Sequence, residues 1–275
     1  MKLLRRIFDF YLDASIHVAI SVASLIFITV SFFNITSDPH LILFLFFGTI
    51  ASYNFIKYGV EAEKYILVSS GYHRYIQFFS FIVAGLAAYH ANYLSWDVWI
   101  WLGILSFLIG LYALPVLPQA RNLRNLGVLK ILLVAFVWGG TTVILPMVAA
   151  NGHHLPWDAH VEAAQRFLLV LILMVPFEIR DLAYDKPTLR TIPQRYGVTK
   201  TRIFGGFASI LFFALTFLKD DIQPVELISK GVLFLILGAL MYYTTRNQAK
   251  YFSSFWVEGI PILWWGIVWG LERYL

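Results

Sequence analysis

The chain has no cysteine, which excludes disulfide frameworks, thiolate metal sites and cysteine nucleophiles together. Charge is scarce as well. Asp, Glu, Lys and Arg make up 13% of the 275 residues, against 59% apolar and 17% aromatic residues. A soluble domain carries about 25% charged residues, so a water-facing globule is excluded and an all-α, polytopic membrane protein is expected. Low-complexity tracts and strong short-period repeats are also missing, and residues 1–275 read as one integral membrane domain. The net charge of +5 would suit nucleic acid in a soluble protein. In a membrane protein it is first a matter of topology, and no nucleic-acid partner is expected.

Apolar runs are what the chain has in plenty. A helix needs roughly 20 apolar residues to cross the hydrocarbon core, and nine runs qualify, at 15–33, 41–56, 75–92, 97–117, 128–149, 163–177, 203–218, 227–245 and 253–271. Polar and turn-forming clusters such as NITSDPH, NGHHLPWD and LKDDIQP separate them. Lys2, Arg5 and Arg6 precede the first run as in a signal peptide, but no small-x-small cleavage site follows, so a retained helix is expected. With the N-terminus inside, 17 of the 21 Lys and Arg fall on the cytoplasmic side, leaving Arg166, Lys219, Lys230 and Arg273 outside. That bias supports nine spans, an inside N-terminus and an outside C-terminus, in a bacterial inner membrane. The polar segments 57–74, 118–127 and 178–202 then form a cytoplasmic cap. Apart from Glu258, about one turn inside the last run, no buried charge is expected within the spans, which disfavours a transporter.

The densest polar segment is FEIRDLAYDKPTLRTIPQRYG, residues 177–197. Glu178, Asp181 and Asp185 are spaced i, i+3, i+7 and share one face if the sixth helix continues past Pro176. Grouped carboxylates repel one another, and oxygen-only ligands favour a hard cation such as Mg²⁺, which bridges carboxylates to substrate phosphates. Arg180, Lys186 and Arg190 suit phosphate oxygens, and Pro187 is expected to stop the helix. The alternative is a solvated loop whose cations enforce topology and pair with the acids.

Carboxylates at this spacing, followed by RTIPQRYG, resemble the second aspartate-rich motif of the UbiA prenyltransferase superfamily, with Glu178 where Asp or Asn is usual. LYALPVLPQARNLRNLGVLKILLVAFVWGG at 111–140 is similar to that family's passage from helix four to helix five, with Tyr112, Arg121, Arg124 and Lys130 as its polar residues. The resemblance covers most of the chain. It implies a nine-helix bundle in which Mg²⁺ and diphosphate are held at two acidic motifs, and a prenyl group passes from an isoprenoid diphosphate to a lipophilic acceptor. Asp181 and Asp185, with Glu178 assisting, become the catalytic metal ligands. Arg180, Lys186, Arg190, Arg124 and Lys130 become diphosphate ligands, and Tyr112 a substrate contact. Ionising the allylic C–O bond demands stabilisation of the departing charge, and the carbocation demands a dry cavity.

The first acidic motif departs from the family pattern. Only Asn54 stands in register, while Phe55, Tyr58 and Ala62 occupy the acidic positions. Asn54, Lys57 and Glu61 repeat the i, i+3, i+7 spacing, so they are expected to share a face, with the Lys57 ammonium contacting diphosphate directly. Phe55, Tyr58 and Tyr112 are candidate pocket aromatics, and Glu258 lines the acceptor site or braces the second motif. His17 reads as a packing residue, and His153, His154 and His160 as outer-loop residues. The degraded first motif keeps two alternatives open: a non-catalytic relative that binds isoprenoid or lipid or scaffolds a membrane enzyme, and a terpene cyclase. A CDP-alcohol phosphotransferase is set aside because its D-x-x-D-G-x-x-A-R pattern is missing. Protein partners are not legible in the sequence.

The cysteine-free background makes the topology directly testable. Lys200→Cys in intact spheroplasts is expected to resist a membrane-impermeant maleimide until the membrane is opened, whereas His154→Cys is expected to react at once. The reverse pattern refutes the inside N-terminus.

Overall fold

The computed structural model describes residues 2–60, 71–113, 127–185 and 187–275. Each expected apolar run is largely helical over its described residues: α2 (Ile16–Phe33), α3 (Pro39–Asn54), α4 (Gly71–Ala91), α5 (Trp96–Ala113), α6 with α7 (Val128–Gly139 and Leu145–Asn151), α8 (Trp157–Asp181), α9 (Ile192–Ala214), α10 (Pro224–Tyr243) and α11 (Ile260–Leu271). Among the described residues, seven helices are long and apolar enough to cross a membrane. Trp96–Leu111 is apolar but shorter, and α4 is long but falls outside that set. The expected nine spans are therefore supported as nine helical runs, of which seven meet both length and composition.

The segment before the first run is a helix in its own right, α1 (Lys2–Asp13), where the sequence suggested only a basic leader. Ser15, at φ 59°, turns the chain between α1 and α2. Leu3, Leu4 and Ile7 of α1 face outward beside Arg5 and Arg6, the composition of a helix lying at a membrane interface. Its other face is tied to the bundle. Asp9 accepts from the Tyr251 hydroxyl at 2.6 Å and from Lys250 at 3.0 Å, and these bonds hold its carboxyl below the usual carboxylate range.

Helices pack largely in chain order: α2 against α3, α3 against α4, α5 against α6, α6 against α8, α8 against α9, α9 against α10 and α10 against α11. α11 returns against α2 and closes the bundle. α2 is the axis, contributing Leu25, Ile28 and Phe32 to one apolar core with α8–α11, and Val22 and Ile26 to a second with α3, α5 and α7. Asp38 caps α3, accepting from the His40 and Leu41 amides at 2.8 and 3.3 Å, with Pro39 at the first turn. π-helical turns interrupt three runs, at Phe55–Val60, Gly140–Ile144 and Phe252–Val257. Such widened turns recur at functional sites, and the first and last lie at the α1 end of the bundle.

The expectation of uncharged spans is corrected at the opposite end. Glu162, Arg166, Lys219, Glu226 and Lys230 are all buried. Lys230 Nζ donates to Glu162 Oε2 at 2.7 Å, Glu226 Oε1 at 2.6 Å and Gln165 Oε1 at 2.6 Å, three acceptors for the three protons of an ammonium. Lys219 joins the same two carboxylates, meeting Glu162 at 2.9 Å and also Glu226. Arg166 donates to Glu162 Oε1 at 3.0 Å and to the Leu25 carbonyl at 3.0 Å, and its guanidinium lies 5.3 Å from the Trp264 ring. α8 begins at Trp157, earlier than the apolar run at 163, and this draws Glu162 into the helix. The i, i+4 pairs Glu162–Arg166 and Glu226–Lys230 were the available signal.

Removing one partner of a buried charge group leaves the others uncompensated. Glu162→Gln, which sets three cations against one carboxylate, is expected to destabilise the protein by about 3–5 kcal/mol. Lys230→Met, which leaves two of each sign, is expected to cost less. Chemical denaturation in detergent reads both, and the opposite ranking contradicts the charge argument.

Candidate functional site

α8 continues through Pro176, as the carboxylate spacing required, and ends at Asp181. Glu178 and Asp181 are therefore on its last turns. Asp185 is not: it sits in the turn beyond, its amide donating to the Asp181 carbonyl at 2.8 Å. The helix stops before Pro187, which instead opens a short 3₁₀ turn, Pro187–Leu189. Across from them, Lys130 of α6 places Nζ 2.7 Å from Glu178 Oε1 and 3.9 Å from Asp185 Oδ2. Gly127 sets this approach. It has φ +55°, and a Cβ there would lie 2.2 Å from the Leu189 carbonyl oxygen, so only glycine lets the start of α6 press on that backbone.

The charges are only partly satisfied. The Glu178 side chain is 4% exposed, and its Oε2 has no hydrogen-bond partner among the described residues; nor has Asp185 Oδ2. Asp181 is held by its neighbour Arg180 at 2.8 Å, and the Arg180 guanidinium stacks 5.1 Å from the Phe177 ring. Arg190 is exposed, with φ +51°.

The residues expected from the first motif do different work. Asn54 is buried at the end of α3, accepting from Ser15 Oγ at 2.8 Å and donating to the Ala14 carbonyl at 3.1 Å and to Ser80 Oγ at 2.9 Å. It fastens α1, α3 and α4 together. Lys57 and Tyr58 stand in the π-helical turn Phe55–Val60, and the expected i, i+3, i+7 face ends on Glu61, outside the described residues. Lys57 pairs with Asp13 at 3.6 Å and Tyr58 donates to the Asp13 carbonyl at 3.0 Å. Phe55 is 45% exposed. Glu61, Arg121, Arg124 and Lys186 lie outside the described residues, and of Tyr112 only its place in α5 is described.

Glu258 ends the π-helical turn before α11. Its backbone carbonyl accepts from Ser21 Oγ at 2.5 Å, but its carboxylate has no hydrogen bond or ion pair among the described residues. It lies within electrostatic reach of both Lys57 and Arg180. His17 is the expected packing residue, bonded to Tyr11 Oη at 2.6 Å and to the Phe255 carbonyl at 2.9 Å.

Comparison with solved structures decides the architecture. A UbiA homologue from Archaeoglobus fulgidus bound to GPP and Mg²⁺ aligns with 94% of this chain and 98% of its own, at a TM-score of 0.57 and 12% identity. The same homologue bound to DMAPP and Mg²⁺ covers 96% of each chain at 0.57 and 12% identity. Digeranylgeranylglyceryl phosphate synthase aligns over 92% of this chain and 90% of its own, at 0.57 and 15% identity. The chain has a UbiA-like fold. No family model and no curated protein matches it in sequence.

On this UbiA-like frame the second-motif carboxylates meet cations of the chain itself. Among the described residues no group of three or more His, Cys, Asp or Glu is arranged to hold a metal, and Lys130 stands between Glu178 and Asp185. Asp185 Oδ2 is the carboxylate oxygen that best suits an added hard cation, being buried and without a hydrogen-bond partner.

The Lys130–Glu178 pair is open to a double-mutant cycle. Lys130→Met is expected to destabilise by about 3–5 kcal/mol, because it strands a buried carboxylate. Adding Glu178→Gln is expected to restore most of that loss. Additive effects of the two changes, read by thermal unfolding, refute the pairing.

Proposed function

We propose that the chain transfers a prenyl group from an isoprenoid diphosphate to a lipophilic acceptor within the membrane, at the α1 end of a nine-span bundle whose polar cap faces the cytoplasm of a bacterial cell. The observation that carries this reading is a fold shared over nearly the whole chain with proteins whose structures hold GPP or DMAPP with Mg²⁺. Mg²⁺ held at Asp181 and Asp185 would supply positive charge to neutralise the departing diphosphate. Arg124 and Lys186 are proposed to add to it, with Tyr112 and Glu61 completing the pocket as the resemblance implies.

In this scheme Arg180, Arg190 and Lys57 orient the diphosphate oxygens, and Lys130 holds Glu178 in place beside them. The allylic C–O bond breaks with its electron pair leaving on diphosphate, the acceptor's electron pair forms the new bond to the prenyl carbon, and the acceptor's proton passes to the released diphosphate. Glu258, a carboxylate inside the bundle without an ion-pair partner, faces the acceptor side. A second reading, a non-catalytic isoprenoid or lipid binder, draws on one observation: Asn54, Lys57 and Tyr58 are engaged in fastening α1.

Diphosphate release from GPP and DMAPP by protein in nanodiscs made with a bacterial membrane lipid extract as the acceptor source, with Mg²⁺ and with EDTA, distinguishes the two. Mg²⁺-dependent release that falls at least about 100-fold in Asp181→Asn, a loss of about 2.7 kcal/mol of transition-state stabilisation, supports transfer. Saturable binding of both donors without release supports the binder.

A further inference from the structure

α1 carries one apolar stripe. Positions 3, 7 and 11, with 4 and 8 beside them, recur at helical spacing and share a face; Leu3, Leu4, Ile7, Phe8 and Tyr11 fill them. The C-terminal half of the stripe is seated on the bundle: the Phe8 ring lies 5.2 Å from those of Tyr251 and Phe255, and the Tyr11 hydroxyl bonds to His17 Nδ1 at 2.6 Å. The N-terminal half is bare, with Leu3, Leu4 and Ile7 at 70%, 73% and 58% exposure. The partners of the helix set its level. Lys57 and Tyr58, which hold Asp13, end the candidate span Pro39–Tyr58, and Lys250 and Tyr251, which hold Asp9, immediately precede the candidate span Phe252–Leu271. α1 therefore lies where spans end, at the height of the lipid head groups. Its bare turns carry the stripe beyond the helices that cover the rest.

We propose that this bare half of α1 docks on the anionic phospholipid surface of the bilayer that holds the bundle, with Leu3, Leu4 and Ile7 entering between the head groups and Arg5 and Arg6 pairing with their phosphates. Charge selects the occupant. Residues 1–8 contain no Asp or Glu, and Arg5 and Arg6 are both exposed. The next acid along the chain, Asp9, lies 4.0 Å from Arg5 and already accepts from Tyr251 and Lys250. The exposed turns are thus cationic and apolar together, a combination that suits a negatively charged lipid surface. An acidic protein or a nucleic acid would meet the arginines and leave three aliphatic side chains in water. A zwitterionic lipid surface would cover the aliphatic side chains and offer the arginines no net charge. The inference rests on a bundle that spans a membrane and is independent of prenyl transfer.

The cysteine-free chain accepts a single probe. Leu4→Cys carrying an NBD fluorophore is placed in nanodiscs of phosphatidylcholine alone and of an equimolar mixture with phosphatidylglycerol, and lipids bearing a doxyl group near the head report contact by quenching. Each arginine near an anionic surface is worth about fivefold in the ratio of docked to free helix. That ratio is expected to rise at least about tenfold with phosphatidylglycerol and to lose most of the gain at high salt. Arg5→Gln combined with Arg6→Gln is expected to abolish the rise, and Arg5→Lys combined with Arg6→Lys to keep it. Equal quenching in the two lipids, a rise that survives the glutamine pair, or a rise lost equally in the lysine pair each overturns the proposal. Blue-shifted emission that the doxyl lipids do not quench places protein, such as a second copy, on the stripe and overturns it too. Quenching is read without substrate, so a protein inactive toward isoprenoid diphosphates gives the same answer.

Discussion

Everything in this bundle depends on how buried charge is partnered where water is absent. A lone ion in a low-dielectric interior is costly by several kcal/mol, and the cost is offset only when partners with good geometry surround it. The group formed by Glu162, Arg166, Lys219, Glu226 and Lys230 comes near that condition, with one cation in excess and Arg166 Nε without a hydrogen-bond partner among the described residues. Two carboxylates receive three cations, and the Lys230 ammonium finds an acceptor for each proton. The result joins α8, α10 and the turn before α10, while Arg166 reaches the backbone of α2. The helix at the centre of both apolar cores is thereby held to the C-terminal half.

The α1 end is built on the opposite principle. Glu178 has one oxygen engaged and one idle, Asp185 has an oxygen without a hydrogen bond, and Glu258 has no ion pair among the described residues. Widened helical turns lie next to Lys57 and Glu258. Incompletely satisfied acids are gathered at this end, where two helices lose their regular winding, whereas the acids of the opposite end are paired with the cations of neighbouring helices.

α1 connects this site to the membrane surface. Asp9 is bound to Lys250 and Tyr251 on one side, and Asp13 meets Lys57 and Tyr58 on the other. A short helix with an apolar outer face is thus strapped across the end of the bundle where the acids lie. Lys57, read from spacing as a ligand for substrate, also serves as an anchor for that strap.

The apolar runs by themselves determined the helices, because a chain in hydrocarbon must satisfy its backbone internally and the helix is the local way to do so. The acidic segment at 177–197 was equally legible, since the spacing of Glu178 and Asp181 and the persistence of the helix through Pro176 are local matters. What lay beyond the sequence was pairing over long separations: Lys130 with Glu178, Lys219 with Glu162, Asn54 with Ser15 and Ser80, and the reach of Glu258 toward Lys57 and Arg180. The charge count treated Arg166, Lys219 and Lys230 as outside charges, because their acidic partners Glu162 and Glu226 precede the apolar runs and enter the helices only with the earlier starts at Trp157 and Pro224. The sequence alone set which segments are helical and where acid is concentrated. Only the tertiary structure decided which charges neutralise one another and which lack a partner among the described residues, since a charge's partner is set by the neighbouring helix and not by the neighbouring residue.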